Sequence, residues 1–213
     1  MNSSSPLERA AAVAALGLAG RLSDDDARPL VDLVRADEDA RVRVAALGAL
    51  VRRARRTLAR DAWLVAASDE HAALRRRAAE LAPALGRNVP LRALRTLLAD
   101  DDGLVAEAAA FALGERAHGS TRAVDELARA ATTHADPLVR EAAVAALGAL
   151  GDDRGLPAIL QACTDKPAIR RRAVLALAAF DGEDVEAALD TALADNDWQV
   201  RQAAEDLRAQ PRG

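Results

Sequence analysis

The residues of this chain that could carry chemistry are few and scattered. His71, His118 and His134 stand apart, with no second ligand at metal-binding spacing. Cys163 lies beside Ile159 and Leu160 on the apolar side of a helical segment, the place of a buried structural thiol rather than a nucleophile. The carboxylate runs Asp24–Asp26 and Asp100–Asp102 sit in turns before helical stretches, where capping and the helix dipole account for them. No P-loop, dinucleotide glycine fingerprint or G-x-S-x-G elbow is present. The expectation is a protein that is not an enzyme and uses no metal or cofactor.

Arginine offers another kind of chemistry. Residues 41–99 hold 13 Arg against four acidic residues, a net +9, whereas residues 101–213 come to −8. The cluster Arg52, Arg53, Arg55, Arg56 and Arg60 could hold phosphates or an acidic protein surface, or could be a solvated helix face. Trp63 is the only aromatic residue in this segment, so no interleaved stacking platform is visible. The net charge of −4 also weighs against a polyanion partner. Nucleic-acid binding through segment 41–99 therefore stays an alternative.

The elements that would position these residues follow from composition. Hydrophobic residues make up 51% of the 213, but aromatics only 2%, with no Tyr. Ala, Leu and Val supply the apolar content, and Ala and Leu lead the helix-propensity scale. An all-α chain is expected. Its one cysteine excludes an internal disulfide and points to a reducing cytoplasm. The apolar run Ala10–Gly20 after Arg9 could pass for the core of a signal peptide, but it is in register with an internal repeat and reads as the first helix. No run approaches the ~18–20 apolar residues of a membrane span.

That repeat organises the chain. Residues 136–148 read DPLVREAAVAALG, and related stretches occur at 5–17, 39–51, 71–83, 102–114, 166–178 and 197–209. The position of Val139 falls at residues 8, 42, 74, 105, 139, 169 and 200, a period of 30–34 that signals a solenoid. Val139, Ala142, Ala143, Ala146 and Leu150 fall on one helix face, with Asp136 as N-cap, Pro137 in the first turn, and Gly148 and Gly151 closing the helix. Between the motif helices lie second apolar segments at 27–36, 57–68, 90–99, 121–132, 156–164 and 184–194. The expected architecture is one domain, 1–213, an α-solenoid superhelix of about six helical hairpins plus an N-terminal half repeat. Glu8 and Arg208, polar where the repeat is apolar, read as its caps.

The D-P-x-V-R-x-A-A-x-x-A-L-G pattern resembles the short HEAT-like repeats of phycobilisome lyase-type proteins over nearly the whole chain. The resemblance implies motif helices lining a concave side. It also implies a polar ladder of Asp39, Asp102, Asp136 and Asp197 with Arg43, Arg75, Arg140, Arg170 and Arg201, interrupted by His71, Ala106 and Lys166. Lyase subunits, scaffolds and adaptors all occur in that family, and fold does not imply activity. Two HEAT-like enzymes can be compared by motif. The paired His-Glu motifs of HEAT-repeat iron hydroxylases are absent, and only Trp63 and Trp198 could serve as the aromatic clamp of an alkylpurine DNA glycosylase.

On motif helices that line a concave face, the outward positions are those of Glu141 and Ala145. Their register mates are Val44 with Gly48, Arg76 with Glu80, Glu107 with Phe111, Arg171 with Leu175, and Gln202 with Asp206. A protein partner would meet Phe111 and Leu175 as apolar contacts, with Arg76, Glu107, Glu141 and Arg171 setting polarity. The other reading of Phe111 is a gap-filler in an Ala-rich core. The expected function is a non-catalytic binding scaffold; a lyase-like subunit acting with a partner chain is the further alternative.

Overall fold

The computed structural model describes residues 5–18 and 20–209; Ala19, within the apolar run Ala10–Gly20, lies outside them. Among the described residues there are thirteen α-helices and no strand, the number the repeat pattern predicts. Two compact units divide the chain inside one helix, residues 1–112 and 113–213. The first unit holds α1 (Pro6–Leu16), α2 (Asp24–Ala36), α3 (Ala40–Arg53), α4 (Arg56–Ala66), α5 (Ala72–Leu85), α6 (Leu91–Leu98) and the start of α7 (Gly103–Arg116). The second continues with α8 (Thr121–Thr133), α9 (Pro137–Leu150), α10 (Leu156–Ala162), α11 (Pro167–Ala176), α12 (Glu183–Leu193) and α13 (Trp198–Ala209).

Each unit is built in two layers. In the first, the motif helices α1, α3 and α5 stack in sequence while α2 packs on α4. In the second, α9, α11 and α13 form one layer and α8, α10 and α12 the other. Leu, Val and Ala fill the space between: Leu47, Leu50, Leu74 and Leu94 in the first unit, Leu127, Val139, Leu147 and Ile169 in the second.

Local sequence explains the helix ends. The Asp136 side chain accepts the Leu138 N–H at 2.9 Å and Pro137 takes the first position, where a missing N–H costs nothing. Asp39, Asp102 and Asp197 cap their helices in the same way. Gly151 ends α9 with φ +61°, a left-handed conformation that side chains disfavour. Gly148 does not close the helix; it lies inside α9, and its role is steric. A Cβ added there would stand 2.7 Å from Ala176 Cβ and 2.8 Å from Ala176 Cα on α11. Gly114 meets Ala146, and Gly17 meets Ala49, in the same way. The glycine of A-L-G thus seats the alanine of the next motif helix. Val51, Pro83 and Ala178 hold the glycine's place in three other motifs. Gly148→Val should destabilise by about 1–3 kcal/mol through overpacking. An unchanged urea midpoint would show that the two helices part freely.

The buried face of α9 is rotated from the one expected. Val139, Ala143 and Ala146 are buried as predicted, joined by Val144 and Leu147, whereas Ala142 and Leu150 are half-buried. Two neighbouring layers, rather than one, cover the helix and widen its buried arc.

Candidate binding surface

The polar ladder is present, with different carboxylates from those expected. Motif aspartates Asp39, Asp102, Asp136 and Asp197 cap their own helices, and the arginines reach instead to an aspartate in the turn before the next motif helix. In the first unit the pairs are Arg9–Asp37 at 3.1 Å, Arg43–Asp69 at 3.0 Å and Arg75–Asp100 at 2.7 Å. In the second they are Arg140–Asp165 and Arg170–Asp195, both at 2.7 Å. The guanidinium groups of Arg43, Arg75, Arg140 and Arg170 also hold their own turns, as when Arg75 Nη1 donates to the Asp69 carbonyl at 2.9 Å. Arg201 does this at Asp195, with a 2.6 Å bond. Each aspartate in turn accepts a backbone N–H of its own turn, as Asp100 does from Asp102 at 3.0 Å.

This geometry explains why His71 and Lys166 do not interrupt the ladder: they replace the cap, not the rung. Arg43 reaches both Asp69 and His71 Nδ1, the latter at 2.7 Å, and Arg140 still pairs with Asp165. In register the arginine is lacking at Ala106 and the aspartate at His134, whose Nδ1 accepts the Asp136 N–H at 3.1 Å.

The ladder arginines hold Asp100, Asp165 and Asp195 below the usual carboxylate range. For Asp37 burial pushes upward, but the bonds from Arg9 and the Asp39 N–H outweigh it. Folded-state values below those of the unfolded chain mean that the stabilisation is complete above about pH 4, the unfolded value. It is lost as pH falls through the lowered folded values. The melting temperature should therefore hold down to about pH 5 and drop steeply below pH 4, with a shallower drop in Asp100→Asn. Equal acid slopes in the two proteins would refute this role of the ladder.

On the outward row, Phe111 is 62% exposed and Leu175 45%, so neither is a core gap-filler. Glu107, Glu141 and Arg171 are half-buried, and Arg76 is exposed. In the first unit, Arg76 and Arg77 both bind Glu80 at 2.9 Å. They border a groove of about 510 Å³ across the N-terminal ends of α3, α5 and α7, with Val44 and Leu104 as its larger apolar residues. In the second unit Glu141 accepts from Arg172 at 3.4 Å, and Leu175 edges a shallow dip of about 170 Å³ among alanines of α9 and α11. Gln202 donates to Asp206 at 2.9 Å.

Other exposed apolar residues were not singled out from sequence. Leu104 and Leu138 occupy the position just before the repeat valine, and Trp198 the one before that, at 46%, 50% and 64% exposure. The signal was their shared register at the start of the motif helix.

The arginine cluster is largely occupied within the molecule. Arg52 and Arg53 both donate to the Gly17 carbonyl, at 3.4 and 3.0 Å, at the end of α1. Arg56 reaches the Ala84 carbonyl at 2.9 Å, Arg60 the Asn88 carbonyl at 3.1 Å, and Arg55 pairs with Asp24 at 2.9 Å. Trp63, the segment's one aromatic residue, is fully buried with its indole N–H on the Ala78 carbonyl at 2.6 Å, so it offers no face for stacking. Burial pushes the Cys163 thiol up to about 11, away from thiolate chemistry. Among the described residues no group of three His, Cys, Asp or Glu could hold a metal, and no helix is long and apolar enough to cross a membrane.

Repeated helical pairs, close glycine and alanine contacts and a ladder at the turns define a HEAT-like α-solenoid. Residues 91–168 and 124–207, together more than half of the chain, match the family of HEAT repeats, and the chain belongs to it. No curated protein matches it in sequence. Among solved structures it is similar to the Escherichia coli protein YibA, with 20% identity over 98% of this chain and 78% of that one, at a TM-score of 0.74. The complex of CpcE and CpcF of phycocyanin lyase from Nostoc sp. PCC7120 is similar over 87% of this chain and 76% of that chain, at 25% identity and a TM-score of 0.60. An engineered protein aligns over 93% of this chain and 97% of its own, with 18% identity and a TM-score of 0.52.

Proposed function

We propose that this protein is a non-catalytic scaffold that binds a protein partner along the outward row of its motif helices. The observation that carries the reading is the exposure of Phe111 and Leu175 at one repeat position, in a chain almost free of aromatic residues. Large apolar side chains turned to solvent at a regular register are what a partner can bury. On the same row, Arg76 and Glu107 in the first unit and Glu141 and Arg171 in the second would select polarity. We take residues 1–213 to act as one domain, in the reducing cytoplasm that a single cysteine suits; two separate unfolding transitions would divide it.

The test is capture of partners by the tagged protein from its native lysate at moderate salt, with and without nuclease. A stoichiometric protein that survives nuclease, and is lost in Phe111→Asp with Leu175→Asp while helical circular dichroism is unchanged, is the expected result. Loss of helical content would instead make these residues structural. Loss of everything on nuclease treatment would favour phosphate binding by Arg52, Arg53, Arg55, Arg56 and Arg60, which must then weaken steeply with salt. Similarity to the phycocyanin lyase complex supports a lyase-like subunit as the second reading. A captured complex absorbing visible light as a tetrapyrrole adduct does would replace the scaffold with it.

A further inference from the structure

The groove of about 510 Å³ across the N-terminal ends of α3, α5 and α7 lies wholly within the first unit. Its apolar lining is Ala40, Val44, Ala72, Ala73 and Leu104. Its charged side chains differ in what they have left to give. Arg41 closes on Asp39 through two bonds, of 3.0 and 2.7 Å, so that pair is balanced. Asp102 commits Oδ1 to the Leu104 and Val105 N–H groups, at 2.9 and 3.3 Å. Arg76 and Arg77 share one carboxylate: Arg76 gives Nε to one oxygen of Glu80, and Arg77 gives Nη1 to the other. Exposed Arg52 joins them from the end of α3, giving its Nε to the Gly17 carbonyl at 3.4 Å. Over Gly48 the two helices bring cations together. Arg52 Nη1 and Arg77 Nη2 lie 3.3 and 3.5 Å from the point where a Gly48 Cβ would stand.

Three neighbouring guanidinium groups thus answer to one carboxylate. Like charges held this close raise one another's energy, and a further carboxylate among them would relieve the repulsion and form charge-assisted hydrogen bonds. The positive end is continuous with the apolar lining, because Val44 stands one turn from Gly48 on α3. Leu104, 46% exposed, continues that lining onto α7. A phosphate backbone has nothing to set against Val44 and Leu104, and Glu80 and Asp102 would repel it. An acidic protein segment brings both a carboxylate and an apolar side chain. Size agrees with this. Three helices spaced about 8–10 Å apart put the ends of the groove about 20 Å from each other, the reach of roughly six extended residues.

We propose that this groove binds an extended acidic segment of a partner protein, with carboxylates on Arg52, Arg76 and Arg77 and leucine-sized side chains on Val44 and Leu104. The proposal rests on the scaffold reading and names the partner's chemistry at the first unit. Fluorescence polarisation of the full chain with the fluorescein-labelled peptides EDELLG and GLLEDE, which present that chemistry in both chain directions, tests it. At least one should bind saturably below about 1 mM, and more weakly as salt screens the pairs. Serine in place of the leucines, or lysine in place of the acidic residues, should weaken binding at least about tenfold. Arg76→Gln with Arg77→Gln should do the same, at least about tenfold, with helical circular dichroism unchanged. Arg87→Gln with Arg92→Gln removes equal charge from exposed positions that do not line the groove. That variant should bind within about twofold of the wild type, because remote surface charge is screened. Neither peptide binding, equal losses in the two double variants, or tighter binding of a fluorescein-labelled oligothymidylate overturns the proposal. Those outcomes leave the scaffold reading standing if a nuclease-resistant partner is still captured through Phe111 and Leu175; absence of that partner removes the reading even if the peptides bind.

Discussion

Trp63→Ala is expected to lower the unfolding free energy by about 3–5 kcal/mol, the largest effect of any single substitution considered for the chain. The indole is fully buried, and its N–H spans from α4 to the Ala78 carbonyl of α5. Truncation removes the ring's apolar contacts, opens a cavity in the core and deletes a buried hydrogen bond. Trp63→Phe keeps one of the two rings but loses the N–H and the rest of the indole, so its cost should be smaller, at about 1–3 kcal/mol. Guanidinium unfolding of the three proteins reads both numbers. A midpoint that does not move in Trp63→Ala would mean that the side chain is not in the core and would return it to the arginine-rich surface.

Leu147→Ala, in the second unit, should cost about 2–5 kcal/mol. Leu147 is 1% exposed, and a Cβ added to Gly155 would lie 3.0 Å from its Cδ2, so leucine and glycine are fitted to each other. The same experiment tests the phase of α9. Half-buried Ala142 should tolerate Ser with a change below about 0.5 kcal/mol, as a position at the edge of the core does. If Ala142→Ser were the costlier of the two, the helix would be turned the other way.

Much of this molecule was legible as a pattern. The repeat located all seven motif helices and the six between them, because an apolar face recurring at helical spacing cannot be satisfied by another element. It also located the caps, since an aspartate before a helix has backbone N–H groups within reach whatever the rest of the chain does. The ladder partners were not legible. Asp37, Asp100 and Asp195 stand two positions before Asp39, Asp102 and Asp197, and Asp69 and Asp165 stand two and one before His71 and Lys166; choosing between such neighbours requires the turn geometry that presents one of them to the previous repeat. The arginine cluster shows the same limit. Its charge is plain in sequence, but its occupation by the carbonyls of Gly17, Ala84 and Asn88 depends on helix ends that lie some 28 to 36 residues away.

Local covalent order determined the helical class, the period and the caps, for these depend on propensity and on partners within a few residues. Tertiary structure decided what each face meets. It buried Trp63, turned Phe111 and Leu175 outward, and fitted glycine to alanine between successive helices. The physical reason is that exposure and pairing are properties of neighbours brought together from distant positions. A repeat makes every motif helix look alike in sequence, and only packing shows what each of its faces meets.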